Sequence, residues 1–294
     1  MTDSLQELVK DITRCHLARE VLGVAGAALN SSAVRCAPIV LSQLIAEDCP
    51  PTVSGRSAED NAGRWLVPEP WNGDLARAPL LFIGQNPSAS FAEDYPRLEE
   101  ALQDGSGAVM TLRFQERFDK WIQDGVKVKQ RPDQDREYAH ANRFLGRVKK
   151  VAQHLYGTDW KLVPGRDYAL TEGVRCKARH ALGLDEALGN CAGLYMKRTL
   201  YFSGAAVIVC MGNVARRALH LAQGKNDDLA DFPGQAGEVQ AREWEIERQG
   251  GASKVLVLFL RHPSAFGKMQ KLGAGKEISD PFTQAKRRLA AALL

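Results

Sequence analysis

Two polar turns, each placed where an apolar run ends, hold the side chains best suited to chemistry. In Ala78-Pro-Leu-Leu-Phe-Ile-Gly-Gln-Asn-Pro-Ser-Ala-Ser90, the run Leu80 to Ile83 is too short and too continuous for an amphipathic helix and predicts a buried parallel strand. Gly84 turns the chain and Pro87 stops the strand from continuing, so Gln85 and Asn86 fall just past its carboxyl end. In open α/β sheets that edge is where ligands bind. Far down the chain, Lys254 to Leu260 forms a second apolar run and leads into Arg261-His-Pro-Ser-Ala-Phe266. An amide such as Asn86 is no strong base, so its chemistry is positioning. A histidine such as His262 can donate a hydrogen bond to developing negative charge.

Composition sets the frame for these turns. With 294 residues, the chain can bury a substantial core as one large domain or two small ones. A hydrophobic content of 45% and a charged content of 25% are those of an ordinary globular protein. A net charge of +4 is compatible with a nucleic-acid partner without requiring one. The start, Met1-Thr-Asp-Ser-Leu-Gln-Glu7, lacks the basic and apolar blocks of a signal peptide, and no apolar run approaches membrane-spanning length. The expected compartment is therefore cytosolic, and the six cysteines are read as reduced thiols or metal ligands.

The elements that must position the two turns are readable from periodicity. Ser4-x-x-Glu7 is a capping box ahead of Leu5, Leu8, Val9 and Ile12 on one helical face, and a second helix is expected from Pro38 to Ala46. Phe114, Phe118, Trp121 and Ile122 suggest one helix within the polar stretch Phe91 to Tyr138, and Lys127, Lys129 and Arg131 follow in a loop. Asn142 is the expected N-cap of a helix carrying Phe144, Val148, Val151, Ala152 and Leu155. Further strands are expected at Asp167–Thr171 and Ala205–Cys210. Helices should run from an Asp185 cap to about Tyr201, from Asn213, and from the Asp280-Pro281 cap. Val239, Ala241, Trp244 and Ile246 hint at an irregular extra hairpin. Strands alternating with helices predict a three-layer α/β/α domain around a central four-stranded parallel sheet. Residues 1–75 form a helical extension packed on a core of residues 76–294, with an insertion at about 91–138.

Gly84-Gln-Asn-Pro87 and His262-Pro-Ser264 match, letter by letter, the two signature motifs of the uracil-DNA glycosylase superfamily. The first is nearest the mismatch-specific uracil/thymine type, in which similar Asn-x-Phe helix starts also follow the first motif. The stretch Thr171-Glu-Gly-Val-Arg-Cys-Lys-Ala-Arg179 running on to Cys191, with fourteen residues between the cysteines, resembles the "TNVVKCRP…C" stretch of the iron–sulfur glycosylases called family 4 and family 5. There the two cysteines are half of a four-thiolate 4Fe–4S site that an N-terminal C-x-x-C completes. This chain has no C-x-x-C and offers Cys15, Cys36 and Cys49 instead. Cys210 lies inside an apolar strand and reads as a core residue; Cys15, next to the apolar face of the first helix, reads the same way. The expected ligands are thus Cys36, Cys49, Cys176 and Cys191.

The resemblance implies a monomeric base-excision enzyme acting on DNA that contains uracil or another deaminated base. The target base leaves the stack, and water attacks an oxocarbenium-like sugar as the base departs. On this comparison Asn86 holds the water, His262 donates to O2 of the leaving base, and Gln85, through backbone or side chain, lines the same oxygen beside Gly84. Phe91 is the nearest aromatic for stacking on the base. Ser88, Ser264, Ala265 and Phe266 meet the DNA, with Phe266 as the wedge, and Lys268, Lys271 and Lys276 meet phosphates. The other class of function is a non-catalytic DNA- or nucleotide-binding module on the same fold. Glu172 stands where the family's Asn reads uracil. Either it is protonated in the pocket, or the preferred base is not uracil, or the side chain turns away as an ion-pair partner.

Overall fold

The computed structural model describes residues 4–23, 30–43, 65–87, 95–118, 122–123, 127–128, 140–141, 143–178, 181–224, 239–261 and 280–294. Every expected apolar run is a strand: β1 (Leu80–Gly84), β2 (Tyr168–Glu172), β3 (Val207–Met211) and, after an additional β4 (Gln240–Arg248), β5 (Gly251–Leu260). The order across the sheet is β2-β1-β3-β5-β4. β1, β2, β3 and β5 are parallel, while β4 pairs antiparallel with β5. The sheet therefore has five strands and not the expected four. What looked like an irregular hairpin is a regular one, joined through Gln249 and Gly250. In β4, Trp244 and Ile246 point inward, while Arg242, Glu243, Glu245 and Glu247 are exposed. This charge load dilutes the strand signal and blunts an edge that would otherwise invite pairing.

Alternate residues of the strands serve opposite layers, as the two-residue period requires. Leu81, Ile83, Ile208, Val257 and Phe259 enter one core, which they share with apolar residues between Leu8 and Val40 and with most of the helices. The helices lining this core are α1 (Leu5–Thr13), α2 (His16–Val21), α3 (Ser31–Ser42), α4 (Leu98–Gln103) and α5 (Ala108–Glu116). Leu80, Phe82, Val207, Val209 and Leu258 enter the other core, under Val148, Val151 and Leu155 of α6 (Arg143–Tyr156). α7 (Leu184–Cys191), α8 (Lys197–Phe202) and α9 (Asn213–Ala222) join the first layer, and α10 (Pro281–Ala292) joins the second. No described helix is long and apolar enough to cross a membrane.

Several element boundaries differ from expectation. α3 starts at Ser31, because the Asn30 side-chain oxygen Oδ1 accepts from the amides of Ser32 and Ala33 at 2.9 and 2.8 Å, and Pro38 lies inside the helix. α7 begins after Gly183, not at an Asp185 cap. Gly183 takes a left-handed φ of 73°, and a Cβ there would lie 2.4 Å from the Ile39 amide nitrogen, so only glycine permits α7 to start against α3. Nor does the helix run unbroken to Tyr201, since a π-helical turn, Ala192–Met196, separates α7 from α8. Among the described residues, the stretch expected to hold one helix holds two, α4 and α5, and Ile122 lies in a small three-stranded sheet with Lys127–Val128 and His140–Ala141. Asn142 and Trp121 lie outside the described residues. The expected caps at Ser4 and Asp280 are present, accepting from the amides of Glu7 (3.1 Å) and Thr283 (3.3 Å).

Candidate functional site

The carboxyl ends of the parallel strands lie side by side. Ile83 pairs with Cys210, and Cys210 with Phe259, so the strand end that leads to Asn86 is in register with the one that leads to His262. The chain leaves β1 toward β2 on one side and β3 toward β5 on the other, so the strand order reverses between β1 and β3. Ligands bind at such a reversal. His262, Ser264, Ala265, Phe266 and Lys268 lie outside the described residues, as do Ser88 and Phe91.

The turn after β1 is clamped to the segment that follows β2. The Gly84, Gln85 and Pro87 carbonyls accept from the amides of Gly173 (3.0 Å), Val174 (3.0 Å) and Ala178 (3.2 Å). On the far side of the same segment, the Glu69 amide donates to the Arg175 carbonyl at 2.9 Å. Gln85 and Asn86 are half-buried, and the Asn86 amide nitrogen donates to the Pro87 carbonyl at 3.0 Å. This fixes the amide and leaves its carbonyl oxygen as the end that can accept.

Glu172 lies directly against this turn. It pairs with Gly84 in the sheet, and a Cβ on Gly84 would sit 2.1 Å from Glu172 Oε2. A side chain at position 84 would require the Glu172 carboxyl to move. Glu172 is buried, and its Oε2 has no hydrogen-bond partner among the described residues. Burial pushes its carboxyl well above the ordinary range and the nearby Glu69 charge adds to this, while Arg175 and Lys177 pull the other way.

Glu69 is equally buried but differently served. Its Oε1 accepts from the Asn72 amide, and its Oε2 accepts from the Tyr95 hydroxyl at 3.0 Å with the Lys177 ammonium 3.9 Å away. That ammonium sits 3.9 Å over the Tyr95 ring, and the Arg117 guanidinium lies 4.9 Å from the same ring. Arg175 is wholly buried behind them. It donates to Thr199 Oγ1 at 2.7 Å, to the Pro70 carbonyl and to the Thr171 hydroxyl. Burial lowers its pKa to about 10, which leaves it a cation, while Cys191, Glu172 and Glu69 favour the charge.

The same guanidinium lies within electrostatic reach of Cys191, one of a group of four thiols. Cys15, Cys36, Cys176 and Cys191 are all buried. Each of the six pairs among them is close enough that charge on one thiol disfavours charge on the other. Burial is the first cause in every case. It pushes Cys191 up to about 12, with Arg175 pulling back through its backbone amide and its charge. Cys15 hydrogen-bonds the Tyr195 hydroxyl, and the Asn190 amide donates to Cys36 Sγ at 3.3 Å. Cys210 is a core residue of β3, as expected. Three of the four expected ligands, Cys36, Cys176 and Cys191, thus come together, and Cys15 joins them. Cys49 lies outside the described residues.

Four soft thiols with no carboxylate among them fit the donor set of a 4Fe–4S cluster. Among the described residues no three His, Cys, Asp or Glu side chains converge tightly enough to hold a single ion. A cubane asks for a wider arrangement, since each thiolate binds its own iron.

The sequence reading missed Glu69, Tyr95 and Lys177, and read Cys15 as core alone. Glu69 lies between two prolines in Val67-Pro-Glu-Pro-Trp71, where no periodicity marks it, whereas Lys177 adjoins a flagged cysteine. No protein-family model matches this chain, and a comparison with curated proteins gave no match.

Proposed function

We propose that this protein is a monofunctional DNA glycosylase that flips a deaminated base, uracil foremost, out of DNA and hydrolyses its N-glycosidic bond. The observation that carries this reading is the Gly84–Pro87 turn, locked over Glu172 at a strand reversal and in register with the strand end that delivers His262. Asn86, fixed through Pro87, holds the water with its free carbonyl oxygen. The C1′–N bond breaks with its electron pair departing on the base, and His262 donates to the base oxygen where that charge accumulates. Water supplies the new C1′–O bond. Its proton passes to solvent, and the released base is reprotonated from solvent. Gly84, Gln85, Phe91 and Glu172 surround the base, and Ser88, Ser264, Ala265, Phe266 and Lys268 hold the strand.

Cys15, Cys36, Cys176 and Cys191 would hold a 4Fe–4S cluster whose contribution is structural. They tie α2, α3 and α7 to the segment after β2, and so brace the backbone that clamps the Gly84 turn. The test is incubation with single- and double-stranded oligonucleotides carrying uracil, hypoxanthine, xanthine or mismatched thymine, followed by alkaline scission of abasic sites. Scission at uracil is expected, with binding that weakens steeply as salt rises. Salt-dependent binding without scission at any base would replace the enzyme with a DNA-binding module.

A further inference from the structure

We infer that Glu172 determines the specificity of this site, acting as a neutral carboxylic acid that reads the N–H/C=O edge of a flipped base, with Glu69 as the positioning residue that keeps it neutral. The inference rests on the glycosylase reading above and names how that site chooses its base.

The two buried carboxyls have unequal surroundings. Glu69 receives donors on both oxygens, from Asn72 and from Tyr95 with Lys177 close by, which is the environment of an anion. Glu172 Oε2 receives none among the described residues and is pressed beneath Gly84. A buried anion with an orphan oxygen is costly, and a second anion close by raises the cost. One proton on Glu172 removes both penalties and turns the orphan oxygen into a group that can donate. The charged groups facing Glu172 are Glu69 from the segment before β1 and Arg175 and Lys177 from the segment after β2. Arg175 and Lys177 oppose protonation. Arg175, however, is shared with the thiol group, and Lys177 with Glu69 and the Tyr95 ring.

A neutral carboxylic acid offers one O–H donor beside one C=O acceptor. Uracil presents N3–H beside O4, and hypoxanthine and xanthine present a ring N–H beside O6, so one acid meets all three with two hydrogen bonds. An ionised Glu172 would set acceptor against acceptor at the base oxygen. Cytosine and adenine present the reverse order, an acceptor ring nitrogen beside an amino donor, and meet the acid only if its proton moves to the other oxygen. A proton held on one oxygen therefore separates deaminated bases from their parents.

The experiment has two arms. In the free protein, the infrared difference spectrum of wild type minus Glu172→Gln should show a protonated-carboxyl C=O band at neutral pH that disappears on alkaline titration. In single turnover on a uracil strand, the wild-type rate should fall as pH rises through the same midpoint. Glu172→Gln keeps a donor and an acceptor at every pH, so it should lose less than about tenfold in rate and show no such fall. Glu172→Ala, which leaves the base edge unpaired, should lose roughly ten- to hundredfold. Glu69→Gln removes the neighbouring anion, so both the band and the rate fall should shift to lower pH. An active wild type without the band, or a Glu172→Gln as slow as Glu172→Ala, overturns the inference and leaves the glycosylase reading intact. A wild type that shows the band but releases no base from any strand overturns the glycosylase reading, and the base-reading role with it.

Discussion

Beneath Gly84 two carboxyls lie within electrostatic reach of each other, and four thiols, of which Cys191 is also within reach of Arg175, do the same. Both groups are buried, and both would repel if fully ionised. The difference lies in the donors around them. The carboxyl pair is asymmetric: Asn72, Tyr95 and Lys177 all serve Glu69, so a single proton on Glu172 relieves the repulsion. Among the described residues, the thiols have only neutral hydrogen-bond donors: Tyr195 with the Leu17 and Ala18 amides at Cys15, Asn190 at Cys36 and the Arg175 amide at Cys191. No one proton resolves four of them. They are stable either as four neutral thiols or as thiolates held by metal. A buried acid pair that one proton settles therefore tends toward specificity, whereas four thiols that no one proton settles tend toward a metal.

The largest expected effect is on the thiol side. Protein purified without oxygen should be brown and carry about four irons per chain. Cys176→Ala and Cys15→Ala should each abolish the colour, while Cys210→Ala, in the core of β3, should leave it. The Cys15→Ala and Cys49→Ala pair decides which N-terminal thiol completes the set, and iron retained in Cys15→Ala would remove Cys15 from it. A colourless, iron-free wild type in every preparation would break the comparison at its root. Arg175→Met comes next, because it removes a wholly buried guanidinium and the hydrogen bonds it gives Thr199, Thr171 and the Pro70 carbonyl. A loss of about 1–3 kcal/mol in urea unfolding is expected. The exposed pair of Arg288 with Glu243, at 2.5 Å, is the control, and Arg288→Met should cost less than about 1 kcal/mol.

The sequence made one side of this comparison far more legible than the other. The strands were readable because Leu80–Ile83, Ala205–Cys210 and Lys254–Leu260 are apolar on both faces, as a sheet covered twice must be. The Gly84 turn was readable from its position at a strand end, whereas Glu172, Cys176 and Cys191 stood out only through the resemblance to the glycosylase stretch. β4 read only as an irregular hairpin because its outward face is charged, and the start of α7 was misplaced because it depends on a glycine fitted against Ile39 and not on a capping side chain. Glu69 and Cys15 reach the site only through the tertiary path of residues distant in sequence. Nothing local in Pro68-Glu-Pro70 or at the end of α1 announces that a carboxyl meets Lys177 or that a thiol meets Tyr195.

Gly84→Ala sharpens the carboxyl side by steric means. The new Cβ would lie 2.1 Å from Glu172 Oε2, so either the acid or the turn must move. Overpacking of this kind costs about 1–3 kcal/mol, and excision should fall because the reading group and the Asn86 turn are displaced together. The double variant Gly84→Ala/Glu172→Ala removes the clash and should recover most of the stability but not the activity. If the single variant keeps both wild-type stability and wild-type excision, the close approach of Glu172 to the motif is wrong.

The smallest effect expected is the pH dependence of stability. A carboxyl whose pKa is raised on folding keeps a proton that the unfolded chain has lost. Its contribution to stability is full below the unfolded pKa and is lost as pH rises through the folded one, at roughly 1.4 kcal/mol for each pH unit between them. Asp104 and Asp167 work in the opposite sense. Burial pushes both up, but donors outweigh it: the Met110 and Gly107 amides at Asp104, and Arg166 with the Val163 amide at Asp167. Both carboxyls are thus lowered on balance, and their contributions are present above the unfolded pKa and lost only as pH falls through the folded one. The two sets act in different windows, the Asp pair on the acid side of the ordinary carboxylate range and Glu172 on the alkaline side. Urea unfolding of wild type and Glu172→Gln across pH should therefore give curves that run parallel in acid and diverge above it, with wild type declining and the Gln variant flatter. The buried thiols titrate alike in both proteins and cancel in the difference. Parallel curves throughout would mean that Glu172 is ionised in the folded chain, and the asymmetry between the two carboxyls would be lost.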